Sequence, residues 1–115
     1  MQEVRDEGAP IILLVEDDLD EERLLLRAIA RLPNEYPVVA VRTINSAIEY
    51  LERSGDFRDR PTGNPGVIVT GLKIGPETGD ELVSYVRSNP DFRLIPIVVL
   101  SGAVSSASGI DTFDG

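Results

Sequence analysis

Ile11 to Asp18 reads IILLVEDD: five apolar residues run without a break into three consecutive acids. A short run of branched side chains bounded at once by polar residues has the pattern of a strand buried on both faces of a parallel sheet. Open α/β sheets bind ligands just beyond the carboxyl ends of their strands, which makes Glu16, Asp17 and Asp18 the first candidate site. Three neighbouring carboxylates repel one another, and a hard divalent cation is the usual remedy.

Outward from that strand, the chain alternates. Leu19 to Leu32 has helical spacing, with Leu19, Leu25, Ile29 and Leu32 on one stripe and Leu24, Leu26 and Ala28 widening it. Acids crowd its start and Arg23, Arg27 and Arg31 its later turns, as the helix dipole favours, before Pro33 and Asn34 stop it. Val38 to Val41 is a second strand, and Thr43 to Arg53 a second helix with Ile44, Ala47, Ile48 and Leu51 inward and Gly55 as its C-cap. Ser54 to Gly66, SGDFRDRPTGNPG, has the composition of a long loop. Val67 to Thr70 is a third strand, and after the loop GLKIGPETG the pair Thr78 and Glu81 predicts a capping box for a third helix carrying Leu82, Val83 and Val86. Ile95 to Leu100 is a fourth strand, followed by a tail rich in Ser and Gly. Met1 to Pro10 reads as a flexible, polar lead, which leaves residues 11–115 as one domain.

Composition narrows the chemistry. At 115 residues the chain suits a single core. It has no cysteine and no histidine, so thiolate chemistry, disulfides, and the commonest general base and transition-metal ligand are excluded. A formal net charge of −9 argues against binding a nucleic-acid backbone. No apolar run reaches the roughly 18 residues of a membrane span, and a cytoplasmic location is the default expectation. Strands begin at Ile11, Val38, Val67 and Ile95, about every 28 residues with a helix between, the rhythm of right-handed βαβ units in an α/β, three-layer, doubly wound parallel sheet. No Gly-rich phosphate loop follows the first strand, and acids there would repel a phosphate.

The run IILLVEDD, then VIVTGLKIGPETGDELV, then IPIVVLSGA, in that order, resembles the receiver domains of two-component response regulators, the CheY-like (flavodoxin-like) fold, over roughly Ile11 to Ala103. The resemblance implies a phosphorelay signalling module, with a sensor kinase or a downstream effector as protein partner. It places the Mg²⁺-binding acids on Glu16 and Asp17 and a further ligand on the backbone carbonyl of Lys73. The phosphoacceptor aspartate of the family falls eight residues before Gly79, on Gly71. Glycine has no carboxylate to attack a phosphoryl group, so phosphorylation at the usual position is not expected and metal binding should be weak or absent. Ser101 matches the family's phosphoryl-contacting hydroxyl. The family's lysine-bearing fifth strand and its fifth helix have no counterpart before Gly115.

In the family's strand order, 2-1-3-4-5, loss of the fifth strand leaves an apolar fourth strand at an edge. Three covers compete: a longer natural domain, which is the favoured expectation, a partner or second copy paired as a dimer through the fourth-strand edge, or the tail folded back. Apart from the resemblance, Glu16 to Asp18 read as a helix N-terminus, Gly71 as a turn glycine and Ser101 as a strand-end hydroxyl. Two alternatives to a pseudo-receiver remain open: a phosphorylatable receiver in which Gly71 and the truncation are introduced changes, and a Mg²⁺-dependent phosphoryl-transfer enzyme using Glu16 and Asp17. The second lacks the further carboxylate cluster such enzymes require, since Val67 to Ile74 contains no acid.

Overall fold

In the computed structural model, which describes residues 10–101 and the backbone of 110–113, β1 (Ile12–Val15) is flanked on one side by β2 (Val38–Val41) and on the other by β3 (Val67–Gly71). A short antiparallel hairpin, β4 (Lys73–Ile74) and β5 (Glu77–Thr78), follows β3, and β6 (Ile97–Leu100) and β7 (Ile110–Phe113) complete the main sheet in the order β2-β1-β3-β6-β7. The first four strands of that order are parallel, with Ile12 opposite both Val38 and Val67 and Gly71 opposite Leu100. This is the doubly wound order expected. The lead before Pro10 lies outside the described residues.

Every side chain of β1 is buried because the strand is covered on both faces. Leu13 and Val15 join the larger core, built with α2 (Ile44–Glu52) and α3 (Gly79–Ser88) through Ile44, Ala47, Leu51, Leu82 and Val86. Leu14 faces the opposite way, into a smaller cluster with Leu25 of α1 (Leu19–Ala30) and Leu100. Alternation along one strand thus separates α1 from α2 and α3, which gives the three layers.

The chain ends its helices by local chemistry. Asp18 caps α1, its side chain accepting from the N–H groups of Asp20 and Glu21, and Thr43 caps α2 through Ser46 N–H at 2.9 Å. Leu19 and Leu32, expected on the buried stripe, are 51% and 47% exposed: one is the first residue of α1 and the other lies beyond its C-cap, Arg31. The α2 C-cap is Arg53, in the left-handed region at φ 57°, rather than Gly55, which opens a 3₁₀ turn (Gly55–Phe57). The capping box expected at Thr78 does not form. Thr78 is the N-cap residue of α3 but pairs with Lys73 in the hairpin, its side chain makes no capping bond, and Gly79 N–H is satisfied instead by the Leu72 carbonyl at 2.7 Å.

Arg60 is a centre of the contacts that hold the segment from Ser54 to Gly66. Arg60 lies 4.0 Å above the Tyr50 ring and donates to the carbonyls of Tyr50 (2.6 Å), Pro61 (2.7 Å) and Gly63 (3.0 Å). Burial pushes its guanidinium pKa below the usual value, the Tyr50 charge opposing this.

The fourth parallel strand is not a bare edge. β7 pairs antiparallel with β6, Ile110 opposite Leu100 and Phe113 opposite Ile97, so the edge named as a dimer surface is already taken by the chain's own tail. The driving force is the one that made the bare edge implausible: unpaired strand N–H and C=O groups beside an apolar strand are costly. No parallel fifth strand occurs among the described residues.

Candidate functional site

The carboxyl ends of β1, β3 and β6 converge on a cleft of ≈ 410 Å³, with Glu16, Asp17, Asp18 and Glu21 on one side and Gly71, Leu72, Lys73 and Leu100 on the other. Parallel pairing places them together: Val15 is opposite Thr70, so the residues that follow, Glu16 and Gly71, leave the sheet side by side. A Cβ built on Gly71 would stand 3.0 Å from Glu16 Oε1, 3.2 Å from Ile74 Cδ1 and 3.4 Å from the Lys73 carbonyl oxygen. The sequence expectations for Glu16, Asp17, Lys73 and Gly71 therefore meet at one point. Ser101 follows Leu100, which lines the cleft, and is half-buried.

Glu16 is only 7% exposed. Burial raises its carboxyl pKa above the usual carboxylate value, the Asp18 N–H opposes this, and the charges of Asp17 and Glu21 raise it further. Its Oε2 accepts the Asp18 N–H at 3.1 Å. Asp17 is exposed and its Oδ2 accepts the N–H of Gly75, a glycine at φ 61° in the turn between β4 and β5, at 2.9 Å. Asp18 is turned toward its own helix, capping α1. Each acid of the run thus holds a backbone N–H, and the partner of Asp17 could not be found from local sequence because it lies 58 residues away.

Thr70 offers no substitute nucleophile. Its side chain is fully buried, its hydroxyl donates to the Gly71 carbonyl at 3.0 Å, and it packs toward Gly79 at the start of α3.

Glu16, Asp17 and the Lys73 carbonyl are the oxygens that would hold the family's cation. Two carboxylates and one carbonyl are present, both carboxylates already accept backbone N–H groups, and no group of three acidic side chains with metal-holding geometry occurs among the described residues. Mg²⁺ keeps several waters and is held by one or two carboxylates, so these oxygens would hold it only weakly without a further carboxylate at position 71.

No protein-family model matches the chain. It is 30% identical over 98 residues to response regulator Rcp1 of Synechocystis sp., covering 84% of this chain and 65% of that protein. Among solved structures, the bacteriophytochrome response regulator RtBRR superposes with a TM-score of 0.78 at 40% identity, with 87% of this chain and 60% of that chain covered. The bacteriophytochrome response regulator AtBRR also gives 0.78, at 32% identity, with 85% and 70% covered. The chain belongs to the response-regulator receiver family. Receivers are signalling domains of two-component systems, and the four parallel strands of this one, β2-β1-β3-β6, follow the order expected of that fold. This receiver spans about two thirds of the length of the relatives it matches. Rcp1 has also been solved in a Mn²⁺-bound form, to which this receiver is 28% identical with a TM-score of 0.72. No helix among the described residues is long and apolar enough to cross a membrane.

Proposed function

We propose that this receiver is not phosphorylated at the family's acceptor position and signals through protein contacts, with a sensor kinase or a downstream effector of a cytoplasmic phosphorelay as its partner. One observation carries the reading: Gly71 occupies the end of β3, directly beside the Glu16 carboxylate, where the attacking oxygen of an aspartate would have to be. Phosphoryl transfer to a receiver is attack by a carboxylate, and neither Gly71 nor the buried, turned-away Thr70 supplies one. Ser101 then contacts no phosphoryl group and keeps one environment. The domain has no catalytic role in this reading; its output is the surface it presents.

The test is labelling by a small phosphodonor with Mg²⁺, read by intact mass and by lability of the adduct to hydroxylamine. The unaltered chain should remain at its own mass, and Gly71→Asp should gain one labile phosphoryl group. A labile adduct on the unaltered chain would overturn the proposal.

A further inference from the structure

The contact between Asp17 and Gly75 joins two loops that meet nowhere else in sequence, the β1–α1 junction and the turn of the β4–β5 hairpin. Gly75 adopts φ 61°, the left-handed region, and its N–H is received by the exposed Asp17 carboxylate. The other end of the hairpin is fixed independently: Leu72 N–H reaches the Leu100 carbonyl at 2.9 Å, and Gly79 N–H the Leu72 carbonyl at 2.7 Å. The hairpin is therefore pinned at its base by the sheet and at its tip by one side chain.

With no carboxylate at 71, a cation in this cleft would find only the Glu16 and Asp17 carboxylates and the Lys73 carbonyl, and each of those carboxylates already accepts a backbone N–H. We propose that Asp17 is a positioning residue that clasps the β4–β5 hairpin through Gly75 in place of a divalent cation, so that the cleft keeps one shape with or without Mg²⁺ or Mn²⁺. This rests on the reading of Gly71 as a position that accepts no phosphoryl group. It turns a metal site into a fixed strut and gives Leu72 and Lys73, on the cleft's far side, a constant presentation to a protein partner.

Amide exchange measured by NMR on the intact chain tests the clasp. In chelator, Gly75 N–H should be protected, and Asp17→Ala should speed its exchange by about three- to tenfold, the worth of one exposed hydrogen bond. Asp17→Asn keeps an acceptor oxygen and should retain the protection, which a purely electrostatic role for Asp17 would not allow. Adding Mg²⁺ should leave Gly75 exchange unchanged, and Mn²⁺ should broaden the amides of Asp17, Gly71 and Gly75 no more than those of other acidic surfaces. Selective Mn²⁺ broadening at those three amides, or equal Gly75 exchange in the unaltered chain and Asp17→Ala, would overturn the proposal. Phosphodonor labelling fails separately: an adduct on a chain whose Gly75 protection ignores cations ends the functional reading alone, whereas selective broadening in an unlabelled chain ends the clasp alone.

Discussion

Placing an aspartate at position 71 should make the stability of the domain depend on Mg²⁺. The new Cβ would stand 3.0 Å from Glu16 Oε1, a contact that the end of the Glu16 side chain relieves by moving a few tenths of an ångström, so the backbone can accept the change. The electrostatic cost is larger. Two carboxylates about 4–5 Å apart at an effective dielectric near 20 repel by about 3–4 kcal/mol. Screening by water in the open cleft and the gain of about 0.5–1 kcal/mol from removing a strand glycine reduce this to about 2 kcal/mol. In chelator Gly71→Asp should melt about 10 °C below the unaltered chain by circular dichroism. A cation at a hundred times its dissociation constant returns about 2.7 kcal/mol, enough to bring the variant level with its parent or above it, while the parent's own melting point stays where it was. A variant indifferent to Mg²⁺, or a parent that gains as much from Mg²⁺ as the variant does, would refute the electrostatic account of the cleft.

Three further outcomes follow from the structure. Arg60→Lys keeps the charge but loses the planar fork that serves three carbonyls and stacks on Tyr50, and should lower the urea midpoint by an amount equivalent to about 2 kcal/mol with an unchanged m-value. Arg53→Gly relieves a left-handed arginine at the end of α2 and loses its 3.2 Å bond to the Arg60 carbonyl, for a net gain of about 0.5 kcal/mol in the same assay. Tyr85 has its hydroxyl pKa pushed up to about 12, first by burial and then by its bond to Glu52. A raised acid stabilises the fold below its unfolded pKa and loses that contribution as pH rises through the folded one, so Tyr85→Phe should narrow its stability deficit between about pH 10 and 12, followed by equilibrium unfolding across that range.

Much of this arrangement was legible in the chain because it is written in local pattern. Five apolar residues ending in acids have the pattern of a doubly covered strand with its charged end at the sheet's rim, and the even spacing of four apolar runs has the rhythm of parallel crossovers. The glycine at 71 could be placed against Glu16 because parallel register carries the residue after Val15 to the residue after Thr70. What escaped depended on partners far away in sequence. The bond between Asp17 and Gly75 spans 58 residues and leaves no local pattern, Thr78 looked like a cap until the hairpin took its place, and the segment around Arg60 looked like loose loop because a cation over a ring leaves no periodicity. The strand Ile110–Phe113 escaped for a different reason: four residues after a Ser- and Gly-rich stretch carry no strand signal of their own, and only the apolar edge of β6 gives them a reason to pair.

The most direct measurement is an amide NMR spectrum of the unaltered receiver recorded before and after a small phosphodonor is added with Mg²⁺. With no acceptor beside Glu16 and the hairpin already held by Asp17, the resonances of Gly71, Lys73, Gly75 and Ser101 should stay where they are. Displacement of those four together, reversing as the donor is exhausted, would show a working phosphoryl switch and contradict the account.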